Sequence, residues 1–234
     1  MTTAARGRVH ALRPARASWE VPLKAVVFDM DGVLVDSEPL HKEACEAMLA
    51  AVGIELRRET YLRCVGTTIA TTYDVLREDC GLTWSIDEFK ARYERVIIAR
   101  LQQPIERLPG VTELLAMIES RPLALALASS SRRTWIDATL DGLGLTGRFP
   151  VTVSGDEVRQ GKPSPEIYLL AATRLGLAAG ECLAVEDSGV GVTSAHDAGM
   201  RTVAVRTEYT RELALEDADI ILETLEAFPG EFLD

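Results

Sequence analysis

Five segments of the chain carry short apolar runs that break off in acids, serine or glycine. They are KAVVFDMDG from Lys24, LALALASSS over 123–131, VTVSGDE over 151–157, CLAVEDSG over 182–189 and RTVAVRT over 201–207. An unbroken apolar run of this kind is how a strand buried on both faces of a parallel sheet reads. Stretches with helical character over 111–119, 133–140, 165–175 and 190–198 separate them. Strand followed by helix, repeated, predicts an α/β fold with a doubly wound parallel sheet and right-handed crossovers.

Between the first and second runs the pattern changes. Residues 38–105 read as helix, with candidates over 38–52 ending at Gly53, 69–80 ending at Gly81, and 86–103 stopping before Pro104. Glycine after a helix and proline beyond it are stop signals. The expected organisation is a core of 23–37 and 106–234 interrupted by a small inserted helical domain, 38–105. Residues 1–22 hold Arg6, Arg8, Arg13 and Arg16 against the single acid Glu20, with Pro14 and Pro22 and no sustained apolar period. They read as a flexible N-terminal extension.

Composition narrows the class. With 234 residues, 47% hydrophobic and 26% charged, the chain has ample material for a buried core, and global disorder is disfavoured. The longest apolar stretches, such as 123–128, fall far short of the roughly 20 residues that cross a bilayer. The N-terminal arginines lack the apolar run that follows them in a secretory signal. The expectation is a cytoplasmic protein that binds no membrane. A net charge of −11 disfavours nucleic acid as a partner. The four cysteines, Cys45, Cys64, Cys80 and Cys182, form no C-x-x-C pair and read as small hydrophobes in reduced surroundings. A monomer is the simplest expectation for the oligomeric state.

In an open α/β sheet the ligand site lies beyond the carboxyl ends of the strands. The residues that follow the runs there are Asp29, Asp31, Ser129, Lys162, Glu186 and Asp187. Several carboxylates in one crevice repel one another, which makes a hard divalent cation such as Mg²⁺ the natural counter-charge. Lys162 and Ser129 then read as groups for a bound anion. Metal, cation and hydroxyl around a carboxylate suit phosphoryl transfer, in which an aspartate can itself be the nucleophile.

Four segments carry a resemblance. FDMDGVLVDSEPLH, ASSS, GKPSPEIY and VEDSGVGVTSAHDAGM, in that order over about 24–207, resemble the four motifs of the haloacid dehalogenase superfamily, in the group with a helical cap after the first motif. The resemblance implies a Rossmann-like core and a phosphatase. It implies Asp29 as nucleophile and Asp31 as general acid and base. Ser129, Ser130 with the neighbouring backbone N–H groups, and Lys162 would hold the phosphoryl oxygens. Asp29, the backbone carbonyl of Asp31, Glu186 and Asp187 would ligate Mg²⁺, with Glu186 direct or through water. Dehalogenases of the superfamily lack the second aspartate, so Asp31 argues for phosphate chemistry. Ser131 reads as a cap for the helix that follows.

The leading expectation is a Mg²⁺-dependent phosphatase for a small phosphorylated metabolite, a sugar or polyol phosphate, acting through an aspartyl-phosphate. Specificity would lie in the cap, around Glu38, His41 and 65–72, and in the residues after Ser131. The alternative is a β-phosphoglucomutase-type isomerase, which shares all four motifs. Such mutases tend to carry arginine where this chain has Ile69, and lysine and asparagine where it has Arg132 and Arg133. A non-catalytic relative would usually have lost a motif residue, and none is lost.

Overall fold

The computed structural model describes residues 9–11, 21–65, 67–207, 210 and 215–233. The described strands form one sheet: β1 (Val9–Ala11), β2 (Ala25–Phe28), β3 (Ala124–Ser129), β4 (Val151–Ser154), β5 (Cys182–Glu186), β6 (Arg201–Val205) and β7 (Ile220–Leu222). Their order is β1-β7-β6-β5-β2-β3-β4, and every neighbouring pair is parallel except β1 with β7. From β2 the chain builds outward to β3 and β4, then returns to the other flank with β5, β6 and β7. The order therefore reverses beside β2, where an open α/β sheet places its ligand crevice.

The five apolar runs are all strands, and β2 is fully buried along its length. The two strands absent from the sequence reading, β1 and β7, are three residues each, too short to show a period. Val9–Ala11, inside the stretch expected to be a flexible extension, form β1, whose backbone pairs with Ile220–Leu222. Residues 1–8 and 12–20 lie outside the described residues.

The chain divides into two compact units, 36–105 and the remainder. The smaller holds α1 (Glu38–Ala50), α2 (Arg58–Leu62), α3 (Ile69–Cys80) and α4 (Ile86–Leu101). Its helices begin and end where local chemistry dictates. The Thr68 hydroxyl accepts from the Thr71 N–H at 3.2 Å, and Ser85 accepts from Glu88 N–H at 3.2 Å. Each satisfies a backbone donor that the first helical turn leaves unpaired. Gly81, at φ +68°, closes α3 in the left-handed conformation that glycine tolerates. Leu40, Ala44 and Met48 on α1, and Phe89, Tyr93, Ile97 and Leu101 on α4, are the buried stripes at four-residue spacing. The α1 and α4 faces pack on each other.

The larger unit adds α5 (Val111–Glu119), α6 (Arg133–Gly142), α7 (Glu166–Leu175) and α8 (Gly189–Asp197). Small side chains on one face of the sheet, Ala25, Ala126, Ala128 and Ala184, cluster with Ile167, Tyr168 and Ala171 of α7. Alanine on this face lets a helix approach closely, and this is how the Tyr168 side chain comes to lie fully buried near the strand ends. No helix among the described residues is long and apolar enough to cross a membrane.

Candidate active site

The loops beyond β2, β3 and β5 converge with the loop before α7. Asp29 follows β2 directly, Ser129 closes β3, Glu186 closes β5 and Asp187 follows it. Carboxylate oxygens of Asp29, Glu186 and Asp187 lie within 4.8 Å of one another. The Lys162 side chain, 5% exposed, inserts among them. Its ammonium donates to Asp29 Oδ1 at 2.6 Å, to Glu186 Oε1 at 2.5 Å and to the Ala128 carbonyl at 3.1 Å. With a longer approach of 3.5 Å to the Tyr168 hydroxyl, these contacts engage all three N–H donors of the lysine.

Glu186 is fully buried and both of its oxygens are engaged. Oε1 also accepts from the Tyr168 hydroxyl at 2.7 Å. Oε2 accepts from Asp187 N–H at 3.1 Å, Ser188 N–H at 3.3 Å and the Ser188 hydroxyl at 3.1 Å. A Cβ at position 191 would fall 2.0 Å from Glu186 Oε1, so glycine there makes room for the carboxylate. Gly32 combines two demands: its φ is +75°, and an added Cβ would lie 2.1 Å from Asp187 Oδ2. The turn after β2 thus presses its backbone against Asp187, an approach closed to any side chain.

Three acids around one ammonium leave a charge deficit. Burial pushes the Asp29 carboxyl well above the ordinary range; Lys162 opposes the shift, and Glu186, Asp31 and Asp187 add to it. Burial, then Glu186 and Asp31, push Asp187 up to about 7, again against Lys162. Burial works against the charge on Lys162, yet Asp29 and Glu186 hold its ammonium above the usual lysine range. Burial and the Glu186 carboxylate raise Tyr168, which keeps its proton and donates. Such a site is short of positive charge, and oxygen ligands of this kind fit a hard divalent cation.

Asp31 is half-buried and its carboxylate stands apart from the three-acid group: Oδ2 accepts from the Ser131 hydroxyl at 3.0 Å. Ser131 is therefore not the cap of α6, whose N-cap position is Arg132. The Ser129 hydroxyl is buried and accepts from Ser131 N–H at 3.1 Å, whereas Ser130 is exposed.

A haloacid dehalogenase-like hydrolase profile matches residues 26–205, spanning all of these positions. The chain belongs to the haloacid dehalogenase-like hydrolase family. Within it the chain falls with the phosphatases, the phosphoric monoester hydrolases. It is 34% identical over 201 residues to a phosphorylated carbohydrates phosphatase of Thermotoga maritima, covering 86% of this chain and 91% of that one. It is 35% identical over 215 residues to the protein CbbY of Rhodobacter capsulatus, covering 88% and 95%. The solved structure of CbbY from Rhodobacter sphaeroides in complex with phosphate superposes with a TM-score of 0.75 at 29% identity, covering 87% of this chain and 95% of that one.

For a haloacid dehalogenase-like chain the remaining expected positions divide. Glu38 and His41 lie on α1 of the smaller unit and are tied within it. Glu38 accepts from the Tyr61 hydroxyl at 2.5 Å, and His41 Nδ1 meets the Tyr93 hydroxyl at 2.6 Å. Arg133, one of the residues after Ser131 expected to bear on specificity, is bound instead to Glu157 and to the Thr152 carbonyl. Tyr168 and Ser131 are two site residues to which the sequence assigns no chemistry. Both lie inside motif segments, but which way each hydroxyl points depends on packing that no spacing reveals.

Proposed function

We propose that this chain is a Mg²⁺-dependent phosphatase that hydrolyses a small phosphorylated carbohydrate through an aspartyl-phosphate on Asp29. The observation that carries the reading is the Lys162 ammonium, seated 2.6 Å from Asp29 Oδ1 inside a group of three carboxylates at the reversal point of the sheet. Relatives named for phosphorylated carbohydrates support the substrate class.

The residues present fit a divalent cation. Asp29 and Asp187 would hold it with the Asp31 backbone carbonyl, while Glu186, whose oxygens already accept from Lys162, Tyr168, Asp187 and Ser188, acts through its neighbours. The bound cation supplies charge neutralisation of the phosphoryl oxygens, so that an anionic nucleophile can approach. Lys162 and Ser129, with the Ser130 N–H, orient those oxygens. An Asp29 carboxylate oxygen attacks phosphorus in line, and the bond from phosphorus to the ester oxygen breaks. Asp31 gives its proton to the departing alkoxide, which leaves as the alcohol. Asp31, now ionised, takes a proton from water as that water attacks phosphorus. The bond from phosphorus to Asp29 breaks, and inorganic phosphate leaves. Recognition of the alcohol part is assigned to the helical unit, to Glu38 and His41. The cytoplasmic, monomeric setting expected from the sequence is carried into this proposal.

The test is phosphate release from a panel of sugar, polyol and nucleotide monophosphates, with Mg²⁺ and with EDTA. Release that needs Mg²⁺ and falls at least about a thousand-fold in Asp29→Asn is the expected result. Substantial turnover by Asp29→Asn removes the covalent mechanism. No release from any ester, with conversion of β-glucose 1-phosphate to its 6-phosphate isomer, favours the mutase instead.

A further inference from the structure

The hydroxyl of Ser131 points at Asp31, and everything around it is arranged to keep it there. Ser131 Oγ donates to Asp31 Oδ2 at 3.0 Å across a sequence separation of 100 residues. Its backbone is pinned on both sides: its N–H donates to Ser129 Oγ at 3.1 Å, and its carbonyl accepts from Gly155 N–H at 3.0 Å. The β3 and β4 ends run in register, Ser129 opposite Ser154, which sets Gly155 against this loop. A Cβ at Gly155 would stand 2.3 Å from the Ser130 carbonyl oxygen, so the two loops touch backbone to backbone. The capping duty that a serine here could have taken is met elsewhere, because the Arg133 N–H donates to Asp156 Oδ2 at 2.8 Å.

We propose that Ser131 is a positioning residue for Asp31, selecting which carboxyl oxygen carries the catalytic proton. With Oδ2 occupied as an acceptor, the proton of the acid form resides on Oδ1, the oxygen left to face the departing alkoxide. The Ser131 hydroxyl can donate to Oδ2 whether or not Asp31 holds its proton, so the carboxyl keeps one orientation through both proton transfers. The inference rests on the acid and base role of Asp31 given above, and it adds a requirement that the role itself does not contain.

The experiment measures kcat/KM of Ser131→Ala on two monoesters, glycerol 3-phosphate and 4-nitrophenyl phosphate. This parameter covers the steps through release of the alcohol and excludes the later hydrolysis of the aspartyl-phosphate. Glycerol alkoxide needs a proton to leave and 4-nitrophenolate does not. Ser131→Ala is expected to lose about tenfold or more on the glycerol ester and less than about threefold on the aryl ester. An equal loss on both esters, as from a lost phosphate contact or a distorted loop, overturns the proposal, and so does no loss on either.

Asp31→Asn run in parallel separates the two claims. If it shows the selective loss and Ser131→Ala does not, the positioning role alone fails. If Asp31→Asn loses both esters equally, the acid role of Asp31 fails and Ser131 has nothing to position. Should Ser131→Ala not fold, Ser131→Cys, of similar size but a weak donor, carries the same ratio test. Ser131→Thr, which keeps the hydroxyl, should restore the wild-type ratio.

Discussion

Two clusters of carboxylates and cations sit at the strand ends of the larger unit, and they are built on opposite principles. At the centre, Asp29, Glu186 and Asp187 surround the one buried ammonium of Lys162, and burial raises the carboxyls of Asp29 and Asp187. At the β4 edge, the single carboxylate of Glu157 is shared by the guanidiniums of Arg133 and Arg174 and by the Ser154 N–H and hydroxyl. Partial burial works against its charge, yet the bonds from Arg174, Ser154 and Arg133 hold the Glu157 carboxyl down at about 2. The edge cluster is electrically satisfied by its own chain and serves stability. The central one is left short of positive charge, which stability alone would not select and which the cation proposed above would relieve.

The central cluster breaks most completely where backbone and carboxylate touch. Gly32→Ala would force a Cβ to within 2.1 Å of Asp187 Oδ2 at a positive φ. The expected outcome is a fall in turnover of about 100-fold and a rise of at least about tenfold in the Mg²⁺ concentration needed for half-activity. Wild-type Mg²⁺ dependence in this variant would show that the close approach of Asp187 to the turn is not part of the site.

A smaller effect comes from pH acting on the same charge deficit. The Asp187 carboxyl is raised from its ordinary 3.8 to about 7, so between those values the folded protein holds a proton that the unfolded chain has lost. The Asp187 contribution to metal-free stability therefore decreases as pH rises through this window and is greatest at its acid end. A cation that competes with this proton gains from high pH. At 100 times its Kd, Mg²⁺ stabilises by about 2.7 kcal/mol, a Tm rise of roughly 5–10 °C at this chain length. The full rise is expected at pH 8 and a clearly smaller one at pH 5.5, read by thermal melts with Mg²⁺ and with EDTA. Equal rises at the two values would mean that the cluster is not proton-loaded.

The contrast also explains which parts could be read from the chain. Asp29, Ser129, Lys162, Glu186 and Asp187 were legible because each sits at the end of an apolar run or beside glycine and proline, and a parallel sheet brings all such ends to one edge. Ser131 and Tyr168 were not, although both lie in the motif segments. The first looked like a helix cap until Asp156 took that duty, and the second reached Glu186 only because alanines on the sheet let α7 approach. The edge cluster left no signature, since Glu157 finds Arg133 and Arg174 on two different helices at spacings that belong to no local pattern. The three-residue strands β1 and β7, and the five-residue α2, were too short for any period. In the smaller unit the helix ends were readable from Thr68, Ser85 and Gly81. The partners of Glu38 and His41 were not, because they depend on which faces of the helices meet.

The smallest effect tests the satisfied side of the comparison. Glu157→Gln keeps the shape and removes the charge that two half-exposed guanidiniums share. Exposed ion pairs are worth little, so the expected loss at pH 7 is about 1 kcal/mol, a Tm drop of about 2–4 °C, with turnover within about twofold of wild type. The pH dependence fixes the cause. The folded carboxyl lies at about 2 against an ordinary 4.5, so its contribution is complete above pH 4.5 and is lost as pH falls towards 2. The difference in stability between Glu157→Gln and wild type should therefore be constant from pH 7 to about 5 and shrink through the acid limb, the reverse of the trend expected at Asp187. A difference that persisted unchanged to pH 2 would mean that Glu157 acts by packing and hydrogen bonding alone, and the two clusters would then not differ electrostatically.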